Sequence, residues 1–292
     1  TETGTYTIVA TKSGQSVSGT VNVLSSTTTY ALNLSFVSST LNNNEWSVIK
    51  SVSDAGQGAS YWSIGDRKAV ALNGTVGALT LSNVTTYAFI IGFNHNASVE
   101  GTNRIHFQLG KTALSGGTDV ALCDSYYNNT GGGFRMNTSN SNSGGWESSN
   151  MRTAICGTSL SSYSGTIIAV IPAALRAVLK SVTKYTNNTG NSSAASAVTA
   201  TADYFFLLSE YEVFGSTTYA NSNEASKQAQ YSYYSAGNSK VKYNHSATST
   251  AVIWWLRSPR ASYSAFFVNV ITGGTVSYGN AYYSRGFAPG FC

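Results

Sequence analysis

Along residues 5–10 and 16–24, apolar and small polar residues alternate with a period of two, which predicts the two strands of a β-hairpin. The period changes after Asn44. Trp46, Ile49 and Val52 recur at helical spacing between an asparagine cap and Gly56, so a short helix is expected there. Residues 68–72, 77–81, 88–93 and 104–109 then read as four strands of a meander, separated by Asn and Gly turns. Residues 115–145, rich in Gly, Asn, Ser and Thr, read as long surface loops in which Tyr126 and Tyr127 are expected to be exposed.

A second helical run opens at Ile171-Pro172 and places Leu175, Val178, Leu179 and Val182 on one face, proline being tolerated at a first helical position. In YFFLLSEYEVFG a strand turns directly into a short helix, because Ser209 and Glu212 stand at capping-box spacing. Residues 223–231 read as one more helix. The run from Ile253 to Cys292 reads as a strand, an irregular stretch and a strand-turn-strand, the turn being Thr272-Gly273-Gly274-Thr275. Short strands and helices mixed without βαβ alternation define an α+β chain. Two units are expected: 1–28, a hairpin or the end of an immunoglobulin-like β repeat, and 29–292, the main domain.

Composition narrows the class. Only 10% of the 292 residues are charged against 42% apolar, which is too sticky for a disordered tail. The net charge of +5 is scattered, with Arg67-Lys68 an isolated pair, so nucleic acid is not expected as a partner. No stretch reaches the roughly 18 apolar residues of a membrane span, and no membrane insertion is expected. Cys123, Cys156 and Cys292 are too few and too far apart for a disulfide framework or a CxxC metal site, and read as buried small hydrophobes, with a single bridge between two of them as the alternative in an oxidising compartment.

Catalytic and metal chemistry needs convergent side chains, and the spacing offers few. His95 and His106 fall on neighbouring strands without a third ligand, and His245 sits in a polar loop, so all three read as structural. The carboxylates are scattered singly apart from Glu210 and Glu212, which the helix cap explains. Neither a DxDxDG calcium loop nor a phosphate loop ending in Lys-Ser/Thr occurs. No cofactor, metal or catalytic residue is therefore assigned.

Four segments, WSVIKSVSDAGQGASYWSIGDRKAVALNG, AFIIGFNHNASVEGTNRIHFQLGK, YFFLLSEYEVFG and above all WWLRSPR…GFAPGFC, carry a family resemblance over about 85% of the chain. The chain resembles phage and prophage tail-associated or surface proteins with a C-type-lectin-like domain, several of which resemble the variable proteins of diversity-generating retroelements. The resemblance implies a C-type-lectin-like α+β fold related to formylglycine-generating enzymes, with long loop insertions. It also implies a non-enzymatic receptor-binding or adhesion role on a virion tail or a bacterial surface. The partner would be a cell-surface protein or glycan, with other tail subunits as further neighbours. Rival readings are a formylglycine-generating oxidase, a calcium-dependent sugar lectin and a purely structural tail subunit. The first needs a close pair of reactive cysteines, and the second lacks its usual Glu-Pro-Asn, Gln-Pro-Asp and Trp-Asn-Asp motifs here.

In such systems a reverse transcriptase randomises template adenines, so an Asn codon that keeps its third pyrimidine never becomes Lys, Glu, Gln, Met or Trp. The resemblance implies a variable segment at 260–288, and these residues contain none of the five, which supply 28 of the 292 residues overall, in support of that placement. Matched position by position, Trp254, Trp255, Leu256, Arg257, Ser258 and Pro259 look like fixed leading residues, and Gly286, Pro289, Gly290, Phe291 and Cys292 like fixed closing ones. The changeable, ligand-binding set would be Arg260, Ala261, Tyr263, Ala265, Phe266, Asn269, Ile271, Thr272, Thr275, Ser277, Tyr278, Gly279, Asn280, Tyr282, Tyr283 and Arg285. Ser264, Phe267, Gly274, Ala281 and Ser284 fall between them as fixed residues. Tyrosine and arginine among small residues are the make-up of an antibody-like contact surface. The adjacent Tyr282 and Tyr283 would face opposite sides of a strand. Trp254 and Trp255 read as core anchors, and Arg257 as a structural hydrogen-bond donor.

Overall fold

The computed structural model describes residues 2–12, 15–32, 34 and 36–292; Thr1, Ser13, Gly14, Asn33 and Ser35, which fall within the two expected units, lie outside the described residues. The alternating N-terminal runs form antiparallel strands β1 (Gly4–Lys12) and β2 (Gln15–Val23), paired from Gly4–Val23 to Lys12–Gln15. They make a two-stranded sheet that leaves Ile8 and Val9 exposed.

Trp46, Ile49 and Val52 line the buried face of α1 (Trp46–Asp54). Its cap differs from expectation. Glu45 holds the cap position without a side-chain bond, while Asn44 donates to the carbonyls of Ser38, Thr40 and Leu41 and so closes the preceding 3-10 turn. After α2 (Gly58–Tyr61) come β3 (Arg67–Val76), β4 (Leu79–Phe93), α3 (Ala97–Glu100) and β5 (Ile105–Lys111). The two runs expected at 77–81 and 88–93 are one long strand. A bulge opposite Asn73 absorbs the turn-like Asn83, whose φ is +49° and whose amide bonds the Asn73 side chain, so the ladder resumes instead of ending.

Residues 115–145 are not simply surface loops. Beyond the short strand β6 (Val120–Ala121) the chain folds inward and buries Phe134, Met136, Asn142 and then Trp146. Glycine allows this approach, since a Cβ on Gly133 would stand 2.2 Å from the Ala78 nitrogen. A π-helical turn (Met151–Cys156) leads to α4 (Ile167–Val170) and α5 (Ala173–Arg176). The helix expected to reach Val182 stops at Arg176, with Pro172 as its cap residue, and Val182 instead opens β7 (Val182–Asn187), paired with β8 (Val198–Asp203). Leu175 is buried all the same.

The strand-to-helix step is present as β9 (Phe205–Phe206) and α6 (Glu210–Phe214), with both halves of the Ser209–Glu212 capping box formed. The helix expected over 223–231 is shorter, a 3-10 turn at Ser222–Ser226 followed by α7 (Ser232–Ser235). Then come β10 (Lys242–Asn244), β11 (Ala247–Val252), β12 (Trp254–Pro259), β13 (Phe266–Val270), β14 (Val276–Asn280) and β15 (Gly290–Phe291).

The result is an α+β architecture, mostly strands in small sheets with few, short helices. The largest sheet has the order β3-β4-β5-β15-β9, with β15 antiparallel to both of its neighbours. Phe291 of β15 anchors the core there, 5.3 Å from Phe107 and 5.2 Å from Phe205 between ring centres. β12, β13 and β14 form a separate antiparallel sheet that carries the candidate segment.

Candidate functional site

The segment starts from a rigid base. Trp254 and Trp255 are fully buried, and their indole N–H groups donate to Lys240 and to Phe134 and Tyr283 carbonyls. Arg257, equally buried, donates to the Thr186 hydroxyl and the Leu207 carbonyl, and forms an ion pair with Glu212. These roles match the sequence reading, which had no means of naming Glu212 as the partner.

Glu212 belongs to a buried polar cluster that the scattered sequence positions concealed. The Lys184 ammonium donates to Glu100 at 2.7 Å, to Glu212 at 2.9 Å and to the Tyr231 hydroxyl at 2.8 Å. His95 stacks on Tyr231 with ring centres 3.6 Å apart, and His106 lies beside them. Burial pushes the Glu100 carboxyl up to about 7 against the pull of Lys184, and pushes His95 down to about 3. Glu212 is also buried, yet the Arg257 and Lys184 cations hold it well below the usual carboxylate range. Ligand atoms of His95, Glu100 and Glu212 lie within 4.8 Å of one another, as a metal site would require. They do not fit a divalent cation. The Lys184 ammonium already bridges the two carboxylates, and with Arg257 it balances their charge. All the members are buried, which closes the cluster to a substrate.

The cysteines are unpaired. Burial raises the Cys123 thiol to about 12, with Asp124 adding to the effect, and raises those of Cys156 and Cys292, so none is poised as a thiolate.

Of the sixteen candidate contact residues, Tyr263, Thr272, Thr275 and Tyr278 are exposed. Arg260, Ala261, Ala265, Phe266, Ile271, Ser277, Asn280, Tyr282 and Tyr283 are half-buried. Asn269, Gly279 and Arg285 are buried, Asn269 and Gly279 because they face inward in the β13–β14 ladder, and cannot present a broad contact face. Among the intervening fixed positions Phe267, Ala281 and Ser284 are fully buried, whereas Ser264 is exposed.

The fold gathers part of the set. The Arg260 guanidinium lies 3.7 Å from the Tyr263 ring centre and 3.6 Å from that of Tyr278, with Phe266 beside them. Tyr219, which nothing in the spacing marked, joins this cluster 5.0 Å from Tyr278. Tyr282 and Tyr283 lie in a turn after β14, not in a strand, so their rings sit together at 4.9 Å instead of facing apart. Thr272 and Thr275 occupy the hairpin turn, at the other end of β13 and β14 from the Phe266–Asn280 pair.

The inward-folding loop frames this surface. The Asn142 amide donates to the carbonyls of Arg260, Tyr263 and Phe266, and its backbone N–H to that of Ser264. Asn137, Asn128 and Arg285 extend the frame through backbone bonds to Ala281, Ser284 and Phe134, and Asp124 accepts from the Ser284 hydroxyl. Tyr126 is exposed as expected, but Tyr127 is half-buried with its hydroxyl accepting from the Ile253 amide. By contrast, the only side-chain hydrogen bond that links the sixteen to other described residues runs from Asn140 to Asn280, at 3.0 Å.

Fold and site together define an α+β protein in which a framework of buried tryptophans, Arg257 and Asn142 supports a surface of tyrosine and arginine. Residues 119–292 match the family described as Domain of unknown function (DUF6273), and because the match spans more than half of the chain, the chain belongs to that family. The matched region takes in the framing loop and the whole candidate segment. Comparison with curated proteins and with solved structures finds no match.

Proposed function

We propose that this is a non-enzymatic receptor-binding or adhesion protein with a C-type-lectin-like fold, which presents residues 260–285 to a cell-surface partner. Its place would be a phage or prophage tail or a bacterial surface, and retroelement-driven mutagenesis would diversify the segment. One observation carries the reading. The segment's path is held by backbone bonds and by fixed residues, while the side chains of the sixteen make a single hydrogen bond to the rest of the described residues. The thirteen of them that are exposed or half-buried can therefore change without changing the scaffold, as a surface rewritten by mutation requires.

The chemistry of the exposed part supports the same reading. Arg260 between two tyrosines is a preorganised contact group, and Tyr and Arg dominate interface hot spots. The test is retention of the labelled protein on a panel of bacterial cells. Alanine at Arg260, Tyr263 or Tyr278 is expected to weaken retention about thirtyfold for at least two of the three. Retention that survives all three changes but is lost in Tyr126→Ala would move the site to the framing loop and overturn the assignment.

A further inference from the structure

The three buried members of the set meet one another. A Cβ on Gly279 would stand 2.9 Å from both the Arg285 Nη2 and the Asn269 Nδ2, so the glycine leaves the space into which the guanidinium and the amide converge. Both side chains lack the partners that burial normally demands. Neither the oxygen nor the nitrogen of the Asn269 amide has a hydrogen-bond partner among the described residues, and neither does Arg285 Nε. The guanidinium lies 5.2 Å from the Trp255 ring centre and 5.8 Å from that of Tyr283, and no acidic side chain of the described residues pairs with it.

A comparison within the chain sharpens this. Of the eight arginines, six donate to protein acceptors: Arg67, Arg104, Arg135, Arg152, Arg176 and Arg257. The two whose guanidinium groups make no protein hydrogen bond among the described residues, Arg260 and Arg285, both belong to the changeable set. Arg260 is half-open and rests on tyrosine faces. Arg285 is only 8% exposed, and a buried cation without a counter-charge is costly.

We propose that Arg285, with Asn269 behind it, is a carboxylate-recognition point that takes an aspartate or glutamate side chain of a protein partner. This rests on reading the C-terminal surface as a contact face. A planar guanidinium with free donors suits a carboxylate, which can accept two parallel N–H bonds. The depth of Arg285 favours a slender, flexible acidic side chain over a carboxylate fixed to a sugar ring. A partner that carries it supplies the missing counter-charge, and one with a neutral amide there leaves the guanidinium unpaired.

The experiment is a titration of the full chain followed by two-dimensional nitrogen–proton spectra, reading the Arg285 Nε–H and Trp255 indole signals, assigned with Arg285→Lys and Trp255→Phe. The probes are a blocked Gly-Glu-Gly peptide, its Gly-Gln-Gly counterpart and galacturonate, at matched ionic strength. The glutamyl peptide is expected to shift both signals saturably, at least about tenfold more tightly than the glutaminyl peptide. Arg285→Lys should weaken that binding and Lys12→Gln, an exposed cation of the N-terminal hairpin, should leave it intact, the dispersed indole signals reporting in each case that the fold is kept. Equal response to both peptides, no saturable shift, or saturation by galacturonate alone would overturn the proposal. Because the titration needs no receptor, its failure leaves the cell-retention result standing, and a failed retention test leaves the peptide result standing.

Discussion

Lys242 illustrates how much a single buried charge can matter. It is 1% exposed, its ammonium has no hydrogen-bond acceptor among the described residues, and it lies 5.0 Å from the Trp254 ring centre. Burial lowers its pKa from 10.5 to about 8, with Asp119 opposing and Lys111 adding to the effect. A lysine whose folded value is depressed contributes its stability above the unfolded value, and loses it as pH falls towards the folded value. Lys242→Met is thus expected to melt higher than the parent at pH 7, with the advantage shrinking between pH 8 and 10.5. Melts that show Lys242→Met less stable across this whole range would refute the expectation. Trp255 is the opposite case, an apolar anchor, and truncating it to alanine should cost about 3 to 5 kcal/mol. Tyr282→Ala should leave the melting temperature nearly unchanged, and an equal fall in both variants would show that this tyrosine belongs to the core. Trp254 and Trp255 were legible in the sequence as core anchors because Ile253 and Leu256 flank them, whereas Arg257 was legible only as a donor, its partners lying 45 to 71 residues away. The Lys184 cluster was not, because its glutamates lie 84 and 28 residues away and no local period connects them.

Among the elements, those with a local chemical signature were readable. Ser209 and Glu212 satisfy each other's backbone within one turn, so the start of α6 needs no distant partner. The helix expected through Val182 failed for the complementary reason. Val182 fits an apolar helical face, but here it begins a strand whose alternate residues Val182, Lys184 and Thr186 are buried against other parts of the chain. The loop at 115–145 was misread because glycine and asparagine, which mark exposed turns, also permit backbone to press against backbone. Asn142 is the element-scale test of that loop's role. Removing its amide should cost about 1 to 3 kcal/mol, the range for a buried group with several acceptors. Hydrogen exchange measured by mass spectrometry should then quicken over residues 260–266 and stay unchanged over β1 and β2. Uniform quickening would mean that Asn142 serves global stability and not this loop.

For the molecule as a whole, buried titratable groups pull stability in opposite directions with pH. Burial raises Glu224 from 4.5 to about 7, despite bonds from the Asn187 amide and the Ser258 hydroxyl. Its stabilising share is complete below 4.5 and is lost as pH rises through 7. His95 is lowered from 6.5 to about 3, so its share is present above 6.5 and is lost as pH falls towards 3. The difference between Glu224→Gln and the parent isolates the first effect. The variant should gain melting temperature relative to the parent between pH 5 and 8, and a constant difference across that interval would count against the assignment. The α+β class was legible because short periods of both kinds alternate irregularly along the chain. The strand order was not, since joining β15 between β5 and β9 requires pairings that no window of sequence contains.

That late strand bears on how altered copies of the protein would be sorted. The sheet is complete between β5 and β9 only with residues 290 and 291, which are synthesised after the segment at 260–285 and bring Phe291 between Phe107 and Phe205. A copy that loses its reading frame anywhere in that segment never completes the sheet, and it exposes an open apolar seam to cellular proteases. A copy with only exchanged side chains delivers the same strand and passes. If the segment is rewritten as proposed, placing the closing strand downstream of it would make completion of the fold a checkpoint on every version.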